Sequence, residues 1–137
     1  MAKRRTEAPP QRLILDAGAV IALSRSDVRA RAALATAVEV GAEVSIPAVV
    51  VAETIRGAAT DAPVNRVLKA VGQVDAADEA VGRTAGRLLG EAGSTATIDA
   101  IVVATAVEAG GAVVLTGDPG DLRVLATGRR EVIIEPL

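Results

Sequence analysis

The sequence of 137 residues contains no cysteine, no histidine and no aromatic residue. Without thiol or imidazole groups, the chain by itself cannot supply a disulfide, a cysteine nucleophile or a Ser-His-Asp triad. A zinc site is disfavoured, because zinc normally takes Cys or His ligands. Without aromatic rings, the nucleic-acid modules that stack bases on such rings are excluded. Carboxylates, hydroxyl groups, arginines and a bound hard metal ion remain as the available chemistry.

The chain also lacks a strong charge of either sign and a long hydrophobic run. It has 15 Lys and Arg against 17 Asp and Glu, a net charge of -2, so its total charge does not indicate a polyanionic partner. Its apolar runs are shorter than the roughly 18 residues that a membrane helix needs, and we predict no membrane segment. The missing cysteines give no sign of an oxidising compartment. We therefore expect a globular, cytoplasmic protein.

Half of the residues are hydrophobic, which allows one sizeable core in a chain of single-domain length. Residues 1–11 are polar, basic and proline-bearing, and we predict that they form a disordered tail before a single domain over 12–137. Apolar periodicity and Gly or Pro boundaries predict strands at 12–16, 43–46, 73–75, 112–116 and 132–135. The same signals predict helices at 17–24, 27–40, 48–59, 62–71, 78–92, 98–109 and 121–126. Alternating strands and helices indicate an α/β fold with a parallel sheet covered on both faces.

Several carboxylates lie in otherwise apolar segments. Asp16 ends the strand of "RLILDAGAVIAL", Glu53 lies in "VVVAETI", Asp99 in "TIDAIVVATA", and Asp118 and Asp121 in "TGDPGD". An unpaired ionised carboxylate in an apolar setting is costly, and carboxylates that meet raise one another's pKa values. A divalent cation relieves both problems, and Mg²⁺ prefers carboxylate oxygens and water. If the strand ends converge, these acids predict a metal site.

Each acid also has a purely structural interpretation, so the individual signals are weak and only their joint placement favours a metal site. These interpretations are an N-cap for Asp16, a first-turn charge for Asp99 with Thr97 as the cap, a turn for Asp118 and Asp121, and a pair with Arg56 for Glu53.

The segments "LILDAGAVIAL", "IPAVVVAETIRG" and "TIDAIVVATAVEAGGAVVLTGDPGDL", with their spacing, resemble the PIN-domain family of nucleases, and most closely its VapC-type toxins. The resemblance covers residues 12–136. It implies a three-layer α/β/α sandwich with a central parallel sheet of four or five strands. It also implies a Mg²⁺- or Mn²⁺-dependent endoribonuclease that belongs to a toxin–antitoxin pair.

By matching positions, the resemblance implies that Asp16, Glu53 and Asp99 are the first three catalytic and metal-binding acids. Asp118 follows Thr116 as in the family's Thr-x-Asp pattern and is the expected fourth acid, with Asp121 as the alternative. Leu122 stands where the family usually has an aromatic residue. Thr116 is expected to support the site through its hydroxyl group.

The surface arginines suit bidentate contacts with phosphate. Arg25, Arg83 and Arg87 are the expected substrate contacts, although a solvated helix face is the simpler interpretation of each. The resemblance further implies an RNA substrate, a cognate VapB-type antitoxin and a homodimer. Two alternatives remain open: a receiver-like phosphoacceptor domain, which would want a late lysine that this chain lacks, and a PIN-fold binding module without catalysis.

Overall fold

The computed structural model of the protein describes residues 11–137. These residues form five strands: β1 Arg12–Leu15, β2 Glu43–Pro47, β3 Val74–Asp75, β4 Ala112–Thr116 and β5 Val132–Pro136. They also form seven α-helices: α1 Ala17–Ser24, α2 Val28–Glu39, α3 Ala48–Thr54, α4 Ala62–Val71, α5 Glu79–Ala92, α6 Thr97–Glu108 and α7 Pro119–Leu125. A short 3₁₀ turn, Ala59–Asp61, precedes α4.

The five strands form one parallel sheet in the order β3-β2-β1-β4-β5. From β1 the chain first adds β2 and β3 on one side, then crosses over and adds β4 and β5 on the other side. Because crossovers between parallel strands are right-handed, the two directions place their helices on opposite faces. Helix α1 accordingly contacts α2, α3 and α4, whereas α5, α6 and α7 contact one another. The predicted three-layer α/β/α sandwich is confirmed, with five strands.

The core lies along the central strands and α6. Ile14 and Leu15 of β1 and Val114 and Leu115 of β4 are almost fully buried. Helix α6 is buried from Ala100 onward through most of its length, so its apolar face fixes it against the sheet. The strand order reverses between β1 and β4, and ligands of open α/β sheets bind beyond the carboxyl ends of the strands at such a point.

Most predicted elements are found within one or two residues of their expected bounds. The largest difference is the helix predicted over 48–59, because α3 already ends at Thr54. Ile55 is extended, Gly57 has a φ of +79°, and the Asp61 carboxylate accepts hydrogen bonds from the backbone N–H groups of residues 56–58. This carboxylate captures the donors that would otherwise continue the helix.

The predicted tail lies outside the described residues except for Gln11. The carbonyl of Gln11 accepts a hydrogen bond of 2.7 Å from the N–H of Glu43, so it already takes part in the pairing of β1 and β2. Of the helices within residues 11–137, none combines the length and the apolar character that crossing a bilayer requires.

Candidate functional site

The carboxyl ends of β1 and β4 bring the first and last predicted site segments together. Asp16 directly follows β1, and its N–H donates to the carbonyl of Leu115 on β4 at 3.1 Å. Thr116 ends β4, and its Oγ1 donates to Oδ2 of Asp16 at 2.5 Å. The same hydroxyl oxygen accepts a hydrogen bond of 2.9 Å from the N–H of Asp118. Thr116 therefore links Asp16 to the loop that carries Asp118.

Asp16 also has the structural role that its sequence position indicates. Its Oδ1 accepts a hydrogen bond of 3.3 Å from the N–H of Ala19 and caps α1. Burial raises the pKa of Asp16, while the hydrogen bonds from Thr116, Ala19 and Gly18 act against this rise, and the charge of Asp118 adds to it. Asp16 is thus both a helix cap and a carboxylate whose pKa is raised by burial and by a neighbouring acid.

Asp99 and Glu53 reach the same region from two helices on opposite sides of the sheet, α6 and α3, which contact each other. Burial raises the pKa of Asp99, and the charges of Asp121, Asp16 and Asp118 raise it further. Glu53 is exposed, yet burial and the charges of Asp99 and Asp16 raise its pKa as well. These mutual effects identify an acidic group: Asp16, Glu53, Asp99, Asp118 and Asp121.

One structural interpretation holds only in part: Asp99 does lie in the first turn of α6, but the predicted cap is wrong. Ala96, not Thr97, occupies the N-cap position of α6, and no side chain caps it, so Thr97 is not the expected cap. Asp118 occupies the N-cap position of α7 but makes no side-chain cap hydrogen bond. Its carboxylate is therefore not engaged in capping, which leaves it available to the acidic group.

The expected pair between Glu53 and Arg56 is also absent. Within residues 11–137, no carboxylate oxygen lies within 4.0 Å of the Arg56 guanidinium. Arg56 Nη1 instead donates to the carbonyls of Ala52 and Ile55, both at 3.0 Å. Arg56 acts on Glu53 through its charge, which lowers the pKa of Glu53 but does not overcome burial and the neighbouring acids.

The acidic group fits a hard divalent cation by its chemistry. All of its charged donors are carboxylates, and their net repulsion is not relieved by a contacting cation. In the part of the chain that the structure describes, however, no three of these side chains close around a point that could hold a metal ion. Magnesium is commonly held by one or two carboxylates together with water and substrate phosphate, so an open group of this kind suits it better than a fully enclosing set of ligands.

The arginines predicted to bind substrate lie apart from the acidic group. Arg25 follows the far end of α1, about 13 Å along the helix axis from Asp16. Arg83 pairs with Glu79 at 2.7 Å, and its neighbour Thr84 donates to Glu108, about 13 Å along α6 from Asp99. Arg87 is exposed one turn further along α5. The structure brings none of the three beside the acids, and their role in binding substrate stays a prediction.

A sizeable cavity also lies away from the acids. It is a groove of about 520 Å³ between α1, α2 and α4, and Leu34, Val38 and Val67 contribute to its apolar lining. Val38 is 63% exposed. None of the predicted catalytic acids lines this cavity, so a role for this surface would be separate from catalysis.

Two residues near the site were not singled out by sequence reasoning. Gly18 lies against Gly117 in the loop after β4. Asp61 is 6% exposed and orders the segment that follows α3. A signal for Asp61 existed, since an acid between a glycine-bearing loop and an Ala-Pro helix start is a natural acceptor for backbone N–H groups. For Gly18 the sequence gives no comparable signal.

Comparison with known proteins agrees with this architecture. The family model described as the PIN domain matches residues 13–126, and no curated protein matches the chain. Among solved structures, VapBC2 from Rickettsia felis bound to a promoter DNA fragment has a TM-score of 0.72 at 12% identity, covering 91% of this chain and 98% of the matched chain. A toxin–antitoxin complex from Klebsiella pneumoniae has a TM-score of 0.69 at 20% identity, covering 88% and 95%. VapBC-5 from Mycobacterium tuberculosis has a TM-score of 0.59 at 23% identity, covering 93% and 100%.

The structural matches establish the fold, and the family model covers the segments that carry Asp16, Glu53, Asp99, Asp118 and Asp121. The match to the PIN domain also argues against the alternative of a receiver-like phosphoacceptor domain. This chain belongs to the PIN-domain family.

Proposed function

We propose that this chain is a metal-dependent endoribonuclease and the toxin of a VapBC-type toxin–antitoxin pair. The observation that supports this most strongly is the acidic group at the carboxyl edge of β1 and β4. Burial is the largest cause of the raised pKa values of Asp16, Glu53 and Asp99, and the charges of carboxylates from separate elements raise these pKa values further. Carboxylates that lie close together without a cation are costly to the fold, and a divalent cation would compensate their charge.

Asp16, Asp99 and Asp118 are the proposed ligands of Mg²⁺ or Mn²⁺, with Asp121 as an additional acid in the first turn of α7. A bound divalent cation supplies Lewis acidity and neutralises charge on the scissile phosphate. The hydrogen bond from Thr116 orients Asp16 and acts to lower its pKa, and the Thr116 hydroxyl orders the backbone of Asp118. Glu53 is exposed with a raised pKa, which makes it the best placed acid to accept a proton from an attacking water molecule.

RNA is the proposed substrate class. The chain has no aromatic side chain on which a base could stack, so its contacts must be made to phosphate, sugar hydroxyl and base edges. Arginine is suited to the phosphate contacts. This proposal depends on the family resemblance and on the chemistry of the acidic group together.

The groove between α1, α2 and α4 is the proposed docking site of a cognate antitoxin. The solved structures with the same fold include toxin–antitoxin complexes. The groove is apolar, and the exposed Val38 on its rim is a side chain that a partner would cover. A homodimer, which the family resemblance also implies, is proposed in the same way and can be measured by sedimentation of the isolated chain.

One observation favours a second candidate function, a PIN-fold module that binds without catalysis. Within residues 11–137, the carboxylates do not form a closed set of three around a metal position. If the acids never approach further, the chain would keep the fold and the partner surface but would not cleave.

A nuclease assay with Mg²⁺, Mn²⁺ or EDTA separates the two candidates. We expect cleavage of RNA that EDTA abolishes and that Asp16→Asn and Asp99→Asn each reduce more than about 100-fold, because even residues that only support metal ligands contribute about 10- to 100-fold. Asp27→Asn is the matched control, since Asp27 caps α2 through Ala30 as Asp16 caps α1 through Ala19, and Asn is as good a cap as Asp. Metal-independent cleavage, or equal activity of Asp16→Asn and Asp27→Asn, would contradict the nuclease assignment.

A further inference from the structure

The C-terminal end of α3 holds one arginine in a defined place. Arg56 Nη1 donates to the carbonyls of Ala52 and Ile55, both at 3.0 Å. Carbonyls at a helix C-terminus have no partner within the helix, so they are natural acceptors for a guanidinium. These bonds fold the Arg56 side chain back along the helix that carries Glu53.

Asp61 fixes the backbone from which Arg56 extends. Its carboxylate accepts hydrogen bonds from the N–H groups of Arg56 at 3.0 and 3.1 Å, Gly57 at 2.7 Å and Ala58 at 3.1 Å. Burial acts to raise the pKa of Asp61, but these backbone bonds and the charge of Arg56 together lower it. Asp61 therefore stays ionised, and the segment after α3 stays in place.

The guanidinium of Arg56 keeps donors that the described residues do not occupy. Within residues 11–137, neither Nε nor Nη2 of Arg56 makes a hydrogen bond, and no carboxylate pairs with the group. Arg83 and Arg129, by contrast, are paired with Glu79 and Glu91. Arg56 is exposed, so its free N–H groups face solvent.

Arg56 is also the cation whose charge acts on Glu53 of the acidic group. Of the described residues, it is the one cation whose charge affects Asp16, Glu53 or Asp99, and it acts on Glu53. The predicted substrate arginines Arg25, Arg83 and Arg87 make no such contribution. A cation beside an acidic group, held by its own helix and not paired with an acid, is arranged to receive an anion from outside.

We propose that Arg56 binds a non-bridging oxygen of the substrate phosphodiester next to the bond that is cleaved, an inference that rests on the proposed nuclease function. Guanidinium groups bind phosphate oxygens through charge-assisted hydrogen bonds, and their planar form fixes the direction of those bonds. One nitrogen of Arg56 is used by the end of α3, and the remaining donors are directed to the substrate. Prior placement by Asp61 and the helix reduces the side-chain entropy lost when the phosphate binds.

RNA binding tests the proposal without depending on cleavage. Asp16→Asn serves as the common background, and binding of a fluorescent single-stranded RNA oligonucleotide is compared with and without Arg56→Ala over a series of salt concentrations. We expect Arg56→Ala to weaken binding about 10- to 100-fold, the typical worth of a charge-assisted hydrogen bond. We also expect the slope of log K against log salt to become shallower by about 0.7, because one phosphate contact is lost. Arg56→Lys should restore most of the salt slope but less of the affinity.

Arg130→Ala is the matched control, because Arg130 is exposed and precedes β5 at the opposite edge of the sheet. If Arg56→Ala keeps the affinity and salt slope of Arg130→Ala, and only the melting temperature falls, Arg56 is a helix cap and the proposal is wrong. If the unmodified chain fails to cleave RNA but Arg56→Ala still changes the salt slope, the nuclease function fails while Arg56 remains a phosphate contact. The two failures are therefore distinguishable.

Discussion

Gly18 and Gly117 pack backbone against backbone at the point where α1 meets the loop after β4. A Cβ atom on Gly18 would lie 2.8 Å from the nitrogen and 3.0 Å from the Cα of Gly117. Real Cβ atoms essentially never come so close to backbone, and this backbone leads directly into Asp118. The absence of a side chain on Gly18 therefore allows Asp16 and Asp118 to share one edge of the sheet.

Gly18→Ala should accordingly damage the site. The added methyl group must push α1 and the Gly117 loop apart, so we expect a lower melting temperature and about a 10- to 100-fold loss of RNA cleavage, comparable with the loss of a residue that orients metal ligands. Gly86→Ala is the control, since nothing lies within 4 Å of a Cβ at that helical position. It should stabilise the fold by about 0.5–1 kcal/mol and leave cleavage intact. Equal activity of the two variants would show that the close approach of Gly18 to Gly117 does not support the site.

Thr116→Val tests the link between Asp16 and Asp118 at nearly constant side-chain volume. The valine cannot donate to Asp16, so the pKa of Asp16 should rise further, and it leaves the N–H of Asp118 without its acceptor. We expect Mn²⁺ affinity, measured by calorimetry, to fall about 10- to 100-fold. Thr105→Val is a matched control, because that buried hydroxyl donates to Ile101 on its own helix. A similar metal affinity for both variants would show that Thr116 serves packing alone.

Asp99→Asn should stabilise the metal-free protein in a pH-dependent way. Burial and the charges of Asp121, Asp16 and Asp118 raise the pKa of Asp99 above its ordinary value of 3.8, so the folded state holds its proton more tightly than the unfolded state. The free-energy cost of ionising Asp99 in the folded state therefore appears as the pH rises from about 3.8 through the raised pKa of the folded protein. This cost is absent below about 3.8. In EDTA, thermal unfolding should give Asp99→Asn a melting temperature a few degrees above the unmodified chain near neutrality and no advantage near pH 3.5.

Asp27→Asn provides the comparison for the pH series, because Asp27 lies outside the acidic group. Mg²⁺ in excess should reverse the order and favour the unmodified chain, since a ligand that binds the folded state alone stabilises it. If Asp99→Asn is less stable than the unmodified chain in EDTA near neutrality, the repulsion inferred for the acidic group is absent.

Val38→Glu tests the proposed antitoxin groove. Val38 lines the groove and is 63% exposed, so a charge there should leave the fold intact but place an unpaired carboxylate inside a covered interface. We expect the affinity for the cognate antitoxin to fall at least about 100-fold in a co-purification or calorimetric assay. Val28→Glu, on the same helix, 80% exposed and outside the groove lining, should bind normally. Complex formation by both variants would locate the antitoxin elsewhere.

Local patterns in the sequence predicted most of the fold. Helix 62–71 and strand 112–116 lie between Pro and Gly boundaries and are found at their predicted bounds. The helix predicted over 48–59 is too long, because the apolar period continues past Thr54 while Asp61, a residue from later in the chain, captures the N–H groups of residues 56–58. Hydrophobic periodicity carries no information about such a competitor.

For the candidate site as well, some features followed from the sequence and others did not. The type and spacing of the acids, together with the absence of His and Cys and the family resemblance, predicted which carboxylates form the candidate site, and their role in holding a metal stays a proposal. The structural alternative for Glu53, a pair with Arg56 at i+3, is not formed, because the end of α3 offers two carbonyls that accept hydrogen bonds from the guanidinium instead.

The sequence by itself determined an α/β architecture, because hydrophobic period, glycine and proline act over a few residues, and it supplied the candidate acids for a cation site. Only the tertiary structure decided which of them meet. The hydrogen bond from Thr116 to Asp16 spans 100 positions in the chain. The Gly18–Gly117 contact depends on the crossover that places β4 beside β1. Such contacts follow from how the whole core packs, and no local pattern encodes them.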